Sequence, residues 1–140
     1  MKVRIALLLA GTLALVSTAF AANSADDANG LWMTAEHDAV IEFKPCDAPG
    51  GALCGSIVWD RDAGTPTDTC GIRIAQLGRY DDGAWRDGWV YDPRDKKKYK
   101  GVVRVKSGNL YLRAFVGVEM LGETEQLTHV AALPATPVCK

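Results

Sequence analysis

Residues 87–99 read DGWVYDPRDKKKY, and how this stretch folds decides how the rest of the chain is read. Trp89 and Tyr91 alternate with Val90, as side chains do across a pleated strand, and then meet Asp92 and Pro93. Proline fixes φ, so the Asp-Pro pair opens a tight turn. The following RDKKK becomes the tip and far side of a hairpin, and Tyr99 enters the next strand. Lys96, Lys97 and Lys98 on a short exposed turn read as a solvated tip that blocks edge pairing. A local contact with an anion or a membrane surface is the alternative.

The same grammar runs through the chain from Leu31 onward. Short runs rich in Val, Ile, Tyr and Trp are separated by Gly, Pro, Asp and Asn at intervals of about ten residues. No stretch holds an apolar helical period long enough for a major helix. The runs GLWMT, AVIEFKP, ALCGSIVWD, IRIAQLGRY, AWRDGWVYD, KYKGVVRVK, NLYLRAFVG and ETEQLTHV predict about eight strands, the size of a small closed barrel. The fourth run is interrupted by Gly78. The segment DRDAGTPTDTCG, residues 60–71, is the one connection long enough to form a lid or carry a helical turn.

Ahead of this domain, MKVRIALLLAGTLALVSTAFAA has a basic start with Lys2 and Arg4, an apolar run, and small residues ending Ala19, Phe20, Ala21. This is the pattern of a secretory signal, residues 1–21, cleaved before Ala22. The apolar run is shorter than a spanning helix needs, so the mature chain is expected to be periplasmic, with no transmembrane segment. Residues 22–29, ANSADDAN, predict a disordered leader, and residues 30–140 one barrel domain. Removing Lys2 and Arg4 leaves 14 of the 16 basic side chains against 17 acidic ones, a balance of minus 3. Such a chain does not attract nucleic acid globally.

Cys46, Cys54, Cys70 and Cys139 all lie in the mature part, and an even count in an oxidising compartment predicts two disulfides. Their spacing is not that of a zinc site. Cys46 ends one strand and Cys54 begins the next across DAPGGAL, a hairpin that brings them within bridging distance. Cys70 and Cys139 are then left for each other, the alternatives for Cys139 being a free thiol or a link between chains.

Several segments together resemble the bacterial domain-of-unknown-function 2147 family. WRDGWVYDPRDKKKY is similar to its W-x-G-G-x-[IV]-Y-D-P-x-x-G-K-x-Y signature. GLWMT, ALCGSIVWD, CGIRI and FVGVEMLGETEQL match further elements in order. The chain departs from the pattern at Lys96, where the family commonly has glycine, in the shorter AGTPTDTCG segment, and at Leu127 and His129, which replace a late tryptophan and arginine. The resemblance implies a lipocalin-like antiparallel barrel in the cell envelope, without an established common activity. Gly30, Leu31 and Trp32 look like the G-x-W opening of lipocalins, whose tryptophan closes one barrel end and stacks on a basic side chain from a late strand. Arg113 and His129 are the candidates here, and an ordinary core tryptophan is the plainer reading.

No catalytic constellation emerges. His37 and His129 sit in no serine, cysteine or metal motif. No two of Glu42, Asp60, Asp92 and Glu119 are selected as a glycosidase pair, and GRYDDG and GVEMLG lack the spacing of a phosphate cradle. Neither cofactor nor metal is expected. The favoured reading is a barrel that binds a small, partly apolar ligand through Trp59, Trp89, Tyr91, Tyr111 and Phe115. Arg113 would meet an anionic head group, or serve as a salt-bridge or stacking partner. In the third run Leu53, Gly55, Ile57 and Trp59 are expected on one face. In NLYLRAFVG the set Leu110, Leu112, Ala114, Val116 opposes Tyr111, Arg113, Phe115: one fills a core while the other lines a cavity or covers an outer surface. The competing class is a filled barrel acting through its surface on a protein or membrane.

Overall fold

Eight antiparallel strands follow one another around a closed barrel, each hydrogen-bonded to its chain neighbours and the last to the first, in a computed structural model that describes residues 23–140. They are β1 Gly30–Met33, β2 Ala39–Pro45, β3 Leu53–Asp60, β4 Arg73–Asp81, β5 Ala84–Asp92, β6 Lys97–Lys106, β7 Asn109–Phe115 and β8 Glu123–Val130. A 3-10 helix, η1 Ala25–Ala28, precedes them, and a second, η2 Glu119–Leu121, lies between β7 and β8. The signal expected over residues 1–21, with its cleavage before Ala22, lies outside the described residues.

The two ends of the barrel differ because their turns differ. At one end β4 turns into β5 through Asp82 and Gly83, and β6 into β7 through Ser107 and Gly108, all four with positive φ. Paired left-handed residues make the tight turn whose twist matches that of the strands. The connection from β2 to β3 at this end is closed by the Cys46–Cys54 disulfide, with Cα atoms 5.0 Å apart. The other end carries the remaining connections, residues 34–38, 61–72, 93–96 and 116–122, with the long 61–72 segment among them.

The short-turn end is plugged. The indole N–H of Trp32 donates to the Ala28 carbonyl at 2.9 Å, and that of Trp85 donates to the Ala25 carbonyl at 3.0 Å. Ser24 caps the plug, and Ala28 is fully buried. Residues 23–29 are therefore ordered, which corrects the expectation of a disordered leader. Their polar composition is that of a helix cap, and two buried indoles use the backbone carbonyls of η1 as acceptors they would otherwise lack. Above the plug, Phe43, Leu53, Leu77, Val103, Leu110 and Leu127 are fully buried and fill this half of the barrel.

Three register shifts bend the wall, at Val40/Ile41, Gly55/Ser56 and Trp85/Gly88. A bulge adds a residue to one strand and raises local twist, which lets a small sheet close on itself. Strand β4 runs unbroken through Gly78. Opposite it Asp87 adopts φ 58°, and a β-carbon on Gly78 would come within 2.9 Å of the Asp87 carbonyl oxygen. The glycine is thus a close approach beside a bulge, not an interruption.

The long 61–72 connection is stitched from within. Asp68 accepts the N–H groups of Gly64 and Cys70, each at 2.8 Å, and the Thr67 hydroxyl donates to Asp62 at 3.0 Å. The Cys70–Cys139 disulfide, with Cα atoms 5.5 Å apart, ties the C-terminal tail to it.

Candidate functional site: the open half of the barrel

Strand alternation assigns the inner wall. Leu110 pairs with Leu127, Leu112 with Glu125, and Ala114 with Glu123. Paired residues share a face, and Leu110 and Leu127 are completely buried, so this set points inward. Above the filled half the wall encloses a cavity of about 1260 Å³, open toward the long connections. Its floor is apolar: Ile41, Ile57, Ile74, Val90, Leu112 and Ala114.

Around that floor stands an acidic rim. Glu36 and Asp38 come from the β1–β2 turn, Asp60, Asp62 and Asp68 from β3 and its connection, Asp92 and Asp95 from the β5 hairpin, and Glu123 and Glu125 from β8. Arg61, Arg94 and Lys96 are the basic side chains on the same lining. Arg94 is spent locally, its Nε and Nη2 reaching the two Asp92 oxygens at 3.2 and 3.4 Å.

Each acid is held differently. The Thr69 N–H at 2.7 Å and the Thr69 hydroxyl donate to one oxygen of Asp60, and the Asp62 N–H donates to the other at 2.8 Å. Burial pushes this carboxyl up, but those hydrogen bonds and the charge of Arg61 outweigh it and hold it below the usual range. Burial likewise opposes ionisation of Asp92, and the Arg94 contacts reverse it, leaving Asp92 lowered. The Thr34 hydroxyl donates to Asp38 at 2.5 Å, and the Thr34 oxygen accepts the N–H of Asp38 and of Ala39, each at 3.1 Å.

Glu125 stands apart. It makes no side-chain hydrogen bond or ion pair among the described residues. Burial first, then the charges of Glu36, Asp38 and Asp92, push its carboxyl above the ordinary range, with Arg94 opposing them. No group of three or more His, Cys, Asp or Glu among the described residues is arranged to hold a metal ion.

Most of the side chains expected from the sequence to contact a ligand point away from the cavity floor. Tyr111, Arg113 and Phe115 alternate with the inward set and lie on the outer wall. There Phe115 pairs with Lys100, and Arg113 with Val102 and Thr124. Trp89 is also outside, with the Lys98 ammonium 4.0 Å from its ring centre, a cation over an aromatic face. Tyr91 and Phe115, at strand ends, contribute to the cavity rim.

Trp59 changes face. The shift at Val40/Ile41 pairs Ile57 with Ile41 but Trp59 with Val40, leaving Val58 without a pair. Consecutive residues Val40 and Ile41 point opposite ways, so Trp59 leaves the inner face that Ile57 keeps, and it does not line the cavity. This corrects the expectation that Leu53, Gly55, Ile57 and Trp59 share one face.

Arg113 holds a loop. Its Nε donates to the Glu119 carbonyl at 2.7 Å, Nη2 to the Met120 carbonyl at 3.0 Å, and Nη1 to the Thr124 hydroxyl at 2.7 Å. The Glu119 carboxylate meets Arg104 at 2.6 Å and Arg86 at 3.3 Å. Arg113 therefore supports η2 from outside, away from any head group in the cavity. At the closed end the Trp32 and His129 rings meet edge to face with centres 5.3 Å apart. A β-carbon on Gly30, φ 132°, would come within 3.3 Å of His129 Nε2. His129, not Arg113, is the partner of Trp32.

Sequence reasoning missed the acidic rim. Its signal was present in β8: once Leu127 is inward, Glu125 and Glu123 are inward too.

The family model described as an uncharacterized protein conserved in bacteria, DUF2147, matches residues 30–129, from the start of β1 to near the end of β8. No curated protein matches this chain in sequence. Among solved structures, protein HP1028 from Helicobacter pylori, described as belonging to the lipocalin family, superposes with a TM-score of 0.53 at 14% identity. The match covers 74% of this chain and 83% of that one. At that identity the likeness is one of fold: both are lipocalin-like barrels.

Proposed function

On the premise that this chain belongs to the DUF2147 family of bacterial proteins, we propose that it is an exported cell-envelope protein whose barrel holds a small, partly apolar ligand. The cavity carries this reading. Half the barrel is filled by its own side chains, while the other half leaves about 1260 Å³ above an apolar floor, enough for a small molecule. The rim loops are braced by Thr34, Asp60 and Asp68, so little ordering cost attends binding. The signal-like leader and the two disulfides support passage to the periplasm. No helix among the described residues is long and apolar enough to cross a membrane.

A second reading draws on a different observation. Val116, Val118, Met120 and Leu121, on the β7–β8 connection beside the cavity mouth, are mostly exposed, which favours a surface contact with a membrane or protein. The two readings separate by where an apolar probe goes. A neutral fluorophore should brighten with the native protein and stay dim with Ala114→Phe, which fills the cavity floor. Equal brightening by the folded variant would put the probe on the outer patch and sink the cavity reading.

A further inference from the structure

The chemistry of the lining points to the class of ligand: we infer that the cavity takes a cationic amphiphile, an apolar body on the floor with an amine among the rim carboxylates. This rests on the cavity reading above and adds the charge of the head group.

The lining is complementary to such a ligand. Nine acidic and three basic side chains line the cavity, although the whole chain is nearly balanced, with 17 acidic and 16 basic groups. Acidity is therefore concentrated at the mouth. Arg94 is already engaged by Asp92, so the free cationic capacity facing a ligand is smaller still. An anion entering here meets repulsion, and an uncharged ligand leaves the rim unanswered. The arginine that would have served an anion, Arg113, is bound to the carbonyls of η2 on the outer wall.

Glu125 supplies the specific contact. It is paired with Leu112, a floor residue, so its carboxylate stands where apolar floor gives way to acidic rim. The charged groups around it are Glu36 and Asp38 from the β1–β2 turn and Asp92 and Arg94 from the β5 hairpin, with Glu123 two residues before it on its own strand. An ammonium entering this ring would give Glu125 the partner the protein itself does not provide. Its tail would lie over Ile41, Ile57 and Val90. The rim acids come from three connections and from strand β8, and no metal cluster forms among the described residues, an arrangement suited to a diffuse organic cation.

The test compares three probes with one ten-carbon tail, decylamine, decanol and decanoate, by titration calorimetry at pH 7.5 on the mature protein. Decylamine should bind up to about fivefold more tightly than decanol, the scale of one partly exposed ion pair, with decanoate weakest. Raising the salt should narrow the gap between amine and alcohol. Glu125→Gln should lower amine affinity severalfold and leave decanol unchanged. Glu36→Gln, on an exposed turn, should do the same to a smaller degree. Equal binding of all three probes, or tightest binding of decanoate, would overturn the charge assignment and leave the apolar cavity standing. Binding of none would overturn the cavity reading and this inference together.

Discussion

The ring of Phe43 occupies the space that a β-carbon on Gly55 would need, the two coming within 2.6 Å. The residues are directly paired on β2 and β3, and Phe43 is fully buried. This contact marks where the filled half of the barrel ends and the cavity begins. Gly55→Ala forces the ring off its position or the strands apart, a case of overpacking that costs about 1 to 3 kcal/mol. Urea denaturation should show the loss, while Ser56→Ala, one residue along on the opposite face, should stay within about 0.5 kcal/mol of the native protein.

The indole donors of Trp32 and Trp85 depend on carbonyls of η1. A mature chain begun at Asn29 should retain its barrel but unfold at a lower temperature, since two buried N–H groups lose their acceptors at about 1 to 3 kcal/mol each. Acrylamide should quench tryptophan emission more strongly in the shortened protein. Unchanged quenching would mean that the plug does not shield these rings.

Those two contacts also show what was legible in the sequence. Eight strands and their turns follow from period-two alternation and from Asp, Gly and Pro punctuation, because both are local. The hairpin geometry behind Cys46–Cys54 was local as well. Which face turned inward was not local. Both faces of β7 are apolar, and the choice depends on Leu127, a partner on another strand. Parity counting failed at Trp59 for the same reason: a bulge is a property of two strands, and nothing in SIVWD announces the extra residue. The aromatic outer set reads equally well as a ligand wall or an outer surface from sequence, because large apolar side chains suit either role. On the outside they are covered by basic partners such as Lys98 over Trp89.

Lys96 occupies a left-handed position at the tip of the β5–β6 hairpin, φ 57°. A side chain bearing a β-carbon is strained there, by about 1 kcal/mol relative to glycine. Lys96→Gly should therefore raise the midpoint of thermal unfolding, whereas Lys97→Gly, in the adjoining strand, should lower it. A loss of stability in Lys96→Gly would show that the lysine contributes more than the strain it carries.

The two disulfides close loops of different size, with separations of 8 and 69 residues. In the chain-entropy account, removing the short link costs about 2.5 kcal/mol and the long one about 4.4 kcal/mol, figures that depend on that model. Cys70→Ser with Cys139→Ser should thus be more damaging than Cys46→Ser with Cys54→Ser. The reverse order in paired denaturation curves would show that the hairpin link matters through native packing more than through loop length.

Glu125 and Asp60 line the same cavity with opposite consequences for pH. The Glu125 carboxyl is raised by burial and by its acidic neighbours, so the folded protein holds this proton more tightly than the unfolded chain does. Its contribution to stability is present below the ordinary glutamate value, about 4.3, and is lost as pH rises through the raised folded value. Above the ordinary value the group is a net burden, and at pH 7.5 Glu125→Gln should unfold at a higher temperature than the native protein. That advantage should vanish below about pH 4. Burial alone would raise Asp60 too, but its hydrogen bonds from Thr69 and Asp62 leave it lowered. Its stabilisation is present above the ordinary aspartate value, about 3.9, and is lost as pH falls through the lower folded value. Asp60→Asn should therefore be less stable than the native protein at pH 7.5, with the gap closing in acid. Thermal unfolding of both variants across pH 2.5 to 7.5 checks the pair of signs. If Glu125→Gln were the less stable protein at neutral pH, Glu125 would have to possess a cationic partner within the chain, and the unanswered charge at the cavity mouth would not exist.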